Sequence, residues 1–153
     1  MSVAPYVSSP EEVVRKMLDM VQLRRGEVVY DLGCGDGRIV IMAARDYLAN
    51  AFGVEIREDL AATAQEQLKK HGLEGKVQII HGDFFEVDLS KANVVTLYLT
   101  TSANEKLKPK LERELRSDSR VISHDFMITG WKPVEVSEEL SRHTLYLYKL
   151  SSR

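Results

Sequence analysis

The stretch Glu27-Val28-Val29-Tyr30-Asp31-Leu32-Gly33-Cys34-Gly35-Asp36-Gly37-Arg38, EVVYDLGCGDGR, decides the fold. Residues 27–33 read as a buried strand that runs into a turn with glycines at 33, 35 and 37. The apolar spacing of Ile39, Val40, Met42, Ala43 and Tyr47 then predicts a helix over 38–48. A glycine turn between a strand and a helix aims backbone N–H groups and a helix N-terminus at a ligand. Two phosphate motifs fail here. No Lys-Ser or Lys-Thr follows the glycines, as a P-loop requires. The spacing Gly33-x-Gly35-x-Gly37 is one residue short of the dinucleotide fingerprint, and Asp36 stands where a pyrophosphate would approach. With Asp31 adding a second negative charge, the turn suits a zwitterionic or cationic ligand.

The alternation continues outward. Ser9-Pro10-Glu11-Glu12 reads as a helix start, with Ser9 as cap, Pro10 at the first helical position and Glu12 completing a capping box. Val13, Val14, Met17, Leu18 and Val21 repeat behind it at helical spacing. Strands are expected at 51–56, 76–80, 93–99 and 120–126, and helices at 58–71 and 102–116. Gly72 closes the first of these helices, and Pro109 is expected to kink or split the second. The segments VEVSEE and HTLYLYKL have no helix-length spacer, so they form an antiparallel pair. The chain is therefore α/β, a doubly wound sheet in one domain over residues 1–153.

The 153 residues, 44% hydrophobic and 29% charged, suit one globular core. A formal net charge of −2 argues against a nucleic acid partner. The cluster Lys106, Lys108, Lys110, Arg113 and Arg116 shares its helix with Glu105, Glu112 and Glu114, and is expected to be a solvated face. No apolar run approaches membrane length, and the N-terminus lacks a signal layout, so no membrane is expected. The one cysteine, Cys34, reads as a small core residue in a cytoplasmic protein, and no Cys/His cluster has metal-ligand spacing, so no metal is expected.

Two further strand ends define the ligand. Glu55 closes the second strand, where an acid accepts hydrogen bonds from ribose hydroxyls. After the third strand, Asp83 can accept from an adenine amino group and Phe84 can pack on its ring. Adenosine beside a phosphate-free acidic turn describes S-adenosylmethionine.

VVYDLGCGDGR, GVEI and GDFFEVD resemble the cofactor motifs of class I (seven-stranded) S-adenosylmethionine-dependent methyltransferases. With PYVSSPEEVV, LKPKLERELR, SHDFMITGW and HTLYLY, the chain is similar to the small archaeal broad-specificity protein-lysine methyltransferases. The resemblance covers nearly the whole chain. It implies a Rossmann-like, mostly parallel seven-stranded sheet with a C-terminal antiparallel pair. It also implies that Asp31, Gly33 and Gly35 hold the methionine tail, Glu55 the ribose, and Asp83 and Phe84 the adenine. Residues 1–10, around Tyr6, would be a flexible entry segment that closes over the cofactor. That family's segment usually reads Tyr-Val-Pro-Thr-Pro, whereas this chain has Tyr6-Val7-Ser8-Ser9-Pro10.

The acceptor is expected beyond the fourth strand, at Tyr98-Leu99-Thr100-Thr101. This is not the Asn-Pro-Pro-Tyr typical of amino-adenine and glutamine methyltransferases. Tyr98, Thr100 and Asn104 are candidates to orient an amine, and His124 or Asp125 to take a proton through water. Phe126 and Trp131 are candidate walls for a lysine stem, or core. Solvent is the expected proton acceptor. Short loops leave a site open to side chains on large partners, so the expected substrates are proteins with exposed lysines and the expected state is a monomer. The rival readings are a small-molecule or RNA methyltransferase, and a non-catalytic cofactor-binding module.

Overall fold

A computed structural model describes residues 7–152. Tyr6 lies outside the described residues. Seven strands form one sheet: β1 (Val28–Leu32), β2 (Asn50–Glu55), β3 (Val77–His81), β4 (Val94–Leu97), β5 (Arg120–His124), β6 (Glu135–Ser137) and β7 (Leu145–Lys149). Their order is β3-β2-β1-β4-β5-β7-β6. The first five pair in parallel, and β7 runs antiparallel to both β5 and β6. The chain thus makes the expected doubly wound sheet with its C-terminal antiparallel pair. β1 pairs with both β2 and β4, so the order reverses there, which opens a crevice at the strands' C-terminal ends.

Helices α1 (Glu11–Met20), α2 (Arg38–Tyr47) and α3 (Glu58–Lys70) cover one face, and α4 (Thr101–Glu114) covers the other. Strand side chains alternate between the faces. Val29, Val94 and Ile122 enter the core under α1 and α2, while Tyr30, Leu32, Val95, Leu97 and Val121 enter the core under α4. By this alternation Asp31, Thr96 and His124 fall on the α1 face and Ser123 on the α4 face. Among the described residues no helix is long and apolar enough to cross a membrane.

Three local expectations are met only in part or not at all. Pro10, not Ser9, is the N-cap of α1, and no side chain caps that helix. The Ser9 hydroxyl is held instead by His124, 115 positions away. Helix α4 runs unbroken through Pro109, with Leu107 and Leu111 fully buried on either side of the proline. The basic cluster is not wholly solvated: Lys110 is buried and pairs with Glu114 at 2.8 Å.

Candidate active site

The turn from β1 to α2 is built around positive φ. Gly33, Gly35 and Gly37 sit at +82°, +56° and +88°, where an L side chain is strained. A Cβ on Gly33 would also meet Leu99 at 3.2 Å. The Gly35 N–H donates to Glu55 Oε1 at 2.8 Å, and the Arg57 N–H donates to Oε2 at 3.0 Å. Glu55 therefore fastens the glycine turn to the end of β2. Cys34 is buried against Gly53, where any Cβ would lie 2.7 Å from its sulfur; burial pushes the thiol well above its ordinary range. It is core, as expected.

Asp31 is 3% exposed and accepts from the Thr96 hydroxyl, its register partner across the β1–β4 crevice, at 2.8 Å. Burial pushes its carboxyl up to about 7, aided by Glu55 and Asp36 and opposed by the Thr96 bond. Asp36 differs from the sequence expectation of a bare negative charge. Arg38 grips it through Nε and Nη2 at 3.1 and 2.7 Å and donates through Nη1 to the Ser9 carbonyl at 3.1 Å. Repulsion of phosphate at the turn therefore falls mainly to Asp31. Val7, Ser8 and Ser9 lie across this end and, with Asp31, Gly33, Asp36 and Tyr98, line a cavity of about 30 Å³.

Glu55 and His81 end paired strands, and the Gly82 N–H returns to the Glu55 carbonyl, which sets Asp83 beside Glu55. Asp83 accepts from the Phe85 N–H at 2.9 Å and so caps the short 3₁₀ turn Phe84–Glu86. Phe84 is 8% exposed and lies in the α4-side core.

On the acceptor side, Tyr98 stacks on the His124 ring at 3.9 Å and 26°, and Phe126 lies 6.3 Å from Tyr98. His124 is fully buried, with Nδ1 2.9 Å from the Ser9 hydroxyl and Nε2 2.8 Å from Nδ1 of His143. Burial pushes it down to about 4; Asp125 opposes this and His143 adds to it. His124 is thus the support behind Tyr98, with both nitrogens engaged, and not a base facing an acceptor. Asp125 is engaged as well: its Oδ1 accepts from the Thr144 N–H at 3.0 Å and its Oδ2 lies 3.5 Å from His124 Nε2. Thr100 caps α4, accepting from the Ala103 N–H at 3.0 Å.

Two candidates leave the group because they belong to the other face of the sheet. Asn104 is fully buried and donates to the Phe126 and Met127 carbonyls at 3.1 and 3.2 Å, clamping the loop after β5. Trp131 is core, not channel wall. Its indole N–H donates to Glu112, eleven residues and so about 16 Å along α4 from Thr101, and its ring packs edge-on against Tyr148. Sequence reasoning missed Thr96, Arg38 and His143. Thr96 lies two residues before Tyr98 on one strand face, a spacing that could have flagged it. Nothing local marks His143, which reaches His124 only through the β5–β7 pairing.

The model of the ANTKMT methyltransferase domain matches residues 31–135. A protein-lysine N-methyltransferase of Saccharolobus islandicus is 49% identical over 94% of this chain and 92% of its own length. The adenine nucleotide translocase lysine N-methyltransferase of Mus musculus is 34% identical over 88% of this chain, which spans only 58% of that protein. Among solved structures, an RNA methyltransferase from Salinibacter ruber in complex with S-adenosyl-L-homocysteine superposes with a TM-score of 0.92, at 42% identity and 94% coverage of both chains. The matched residues contain the glycine turn, Glu55, Asp83, Tyr98 and His124, so the chain belongs to the ANTKMT methyltransferase domain family.

Proposed function

We propose that the chain is an S-adenosylmethionine-dependent protein-lysine N-methyltransferase of broad substrate specificity, working as a monomer in the cytoplasm. The observation that carries this is the 49% identity, along nearly the full length of both chains, to the Saccharolobus islandicus protein-lysine enzyme.

The residues fit the cofactor. Asp31 is a buried carboxylate that accepts from the Thr96 hydroxyl, and burial holds it up at about 7. An ammonium placed there would restore its charge. The Gly33–Gly35 backbone would receive the carboxylate of the same methionine tail, Glu55 the ribose, and Asp83 with Phe84 the adenine. When bound, the cofactor supplies a methyl group on a sulfonium for in-line displacement by an amine. The chain contributes alignment. Tyr98 is held flat by His124, and Phe126 stands beside it. A lysine must arrive unprotonated, against an ordinary pKa of about 10.4, and the described side chains present no base, so its proton goes to solvent. Activity should rise with pH above neutrality, without a maximum near histidine titration.

The site edge suits a protein. The β4–α4 connection is only Tyr98–Thr100, and Val7, Ile56 and Met127 expose apolar side chains, 45–58% accessible, on segments at the strands' C-terminal ends. The Salinibacter ruber neighbour bears the name of an RNA methyltransferase, which favours RNA as a second reading. Tyr98-Leu99-Thr100-Thr101 after β4, in place of Asn-Pro-Pro-Tyr, weighs against base-amine chemistry. The test is incubation with isotope-labelled cofactor and a mixed lysate, followed by mass spectrometry. Label on lysine side chains of several proteins is expected. Label in RNA alone, or in small molecules alone, would overturn the assignment.

A further inference from the structure

The antiparallel pairing of β5 with β7 assembles three side chains to which methyl transfer gives no chemical role. His124 ends β5, Asp125 follows it, and His143 lies in the turn just before β7. One donor atom from each lies within 4.8 Å of the others. Nε2 of His124 is 2.8 Å from Nδ1 of His143 and 3.5 Å from Oδ2 of Asp125.

Two of the three donors are aimed by a second partner. Ser9 holds Nδ1 of His124 at 2.9 Å, which fixes the ring and turns Nε2 toward His143. This is the outer-shell arrangement that orients metal-ligating imidazoles. The Thr144 N–H holds Oδ1 of Asp125 at 3.0 Å, leaving Oδ2 on the His124 side. Asp125 adopts φ +66°, a left-handed conformation that its backbone bond to the Thr144 carbonyl, at 2.7 Å, maintains. His124 is fully buried and His143 and Asp125 are half-buried, so the cluster is closed on the Tyr98 side and reachable from the turn.

We propose that His124, Asp125 and His143 form a three-ligand site for a borderline divalent cation, with zinc the best match and solvent as the fourth ligand. Two imidazole nitrogens and one carboxylate oxygen favour zinc over magnesium or calcium, which take oxygen ligands. Tetrahedral zinc, with bonds of about 2.0–2.2 Å, places its donors about 3.3 Å apart. Nε2 and Oδ2 already stand near that spacing. The two imidazoles share a hydrogen bond and would part by about half an ångström, a movement open to His143 in its half-exposed turn. Bound zinc would tie the end of β5, the turn before β7 and the Ser9 segment together behind Tyr98.

The test titrates zinc chloride into the full chain, stripped with a chelator, against a chromophoric competitor. One equivalent bound at micromolar affinity or tighter is expected, with a rise in Tm at saturation. Because the buried His124 risks misfolding when replaced, His143→Ala and Asp125→Asn carry the test. Each should weaken zinc binding by about tenfold or more and abolish the rise in Tm, while His81→Ala changes neither. Failure to bind one equivalent, or binding that survives His143→Ala, would overturn the proposal and leave the His124–His143 contact as a plain hydrogen bond. The readout is metal affinity, so it stands or falls independently of the methyl acceptor.

Discussion

Burial at the end of β1 raises Asp31 from 3.8 to about 7, so over that window the folded chain keeps a proton that the unfolded chain releases. Stability therefore falls as pH rises from about 4 to 7, by an amount on the order of 4 kcal/mol. Asp31→Asn should remove the loss: thermal melts should show the variant more stable than wild type at pH 8 and nearly equal at pH 4. The same substitution should weaken cofactor binding. For the wild type, calorimetry should show cofactor affinity rising by up to about tenfold per pH unit below 7 and flattening above it. Glu55 carries a different load, since its two oxygens receive the Gly35 and Arg57 N–H groups. Glu55→Ala should reduce cofactor affinity by about 1–3 kcal/mol and also lower Tm, because two backbone donors lose a charged acceptor. An unchanged Tm would show that the turn keeps its shape without that carboxylate. These two acids were legible from sequence because each ends a strand beside a forced turn. The partner of Asp31 was not: that Thr96 faces it follows only from the β1–β4 register.

Elements were legible where periodicity was strong and misread where a distant partner outbid a local one. Ser9 satisfies every local criterion for a capping box, yet its hydroxyl serves His124. Ser9→Ala should therefore leave α1 intact while loosening residues 7–9, and a Ser9/His124 double-mutant cycle should give a coupling of about 1 kcal/mol. No coupling would return Ser9 to a purely local role. Pro109 shows the opposite balance. Propensity places a break there, but Leu107 and Leu111, both fully buried, hold α4 in one piece. The proline side chain is exposed, so Pro109→Ala should raise stability by about 1–3 kcal/mol in chemical denaturation, with activity unchanged. A loss of stability would mean that α4 is shaped around the ring. Trp131 and Asn104 could not be assigned from sequence because both act across the α4 face, where their partners Glu112, Phe126 and Met127 lie 19 to 23 positions away.

Across the whole molecule, the strand order and the crevice follow from three strand-end motifs, whereas the ties between distant segments follow only from the folded sheet. Arg120, at the start of β5, binds both Glu27 oxygens and the Val21 carbonyl, each contact at 2.8–3.1 Å. It joins the end of α1 to the strands at the pole opposite the crevice. The Arg120 guanidinium holds Glu27 below its ordinary 4.5. A depressed carboxylate stabilises the fold above its unfolded value and gives that up as pH falls through its folded one. Glu27→Gln should thus cost about 1.5–3 kcal/mol at neutral pH and flatten the decline of stability below pH 4.5, as read by acid titration of the melting temperature. At the crevice pole, residues 7–9 lie across a cavity of about 30 Å³ shared with Asp31, Gly33 and Tyr98, and exchange of a donor molecule there would lift that segment. Lifting it takes Ser9 from His124, and His124 is the backing of Tyr98. Renewing the methyl source therefore unseats the wall against which the acceptor rests. An enzyme built so should release its substrate between transfers, and a time course should show monomethyl-lysine accumulating ahead of the higher forms; trimethyl-lysine appearing without a monomethyl lag would count against it.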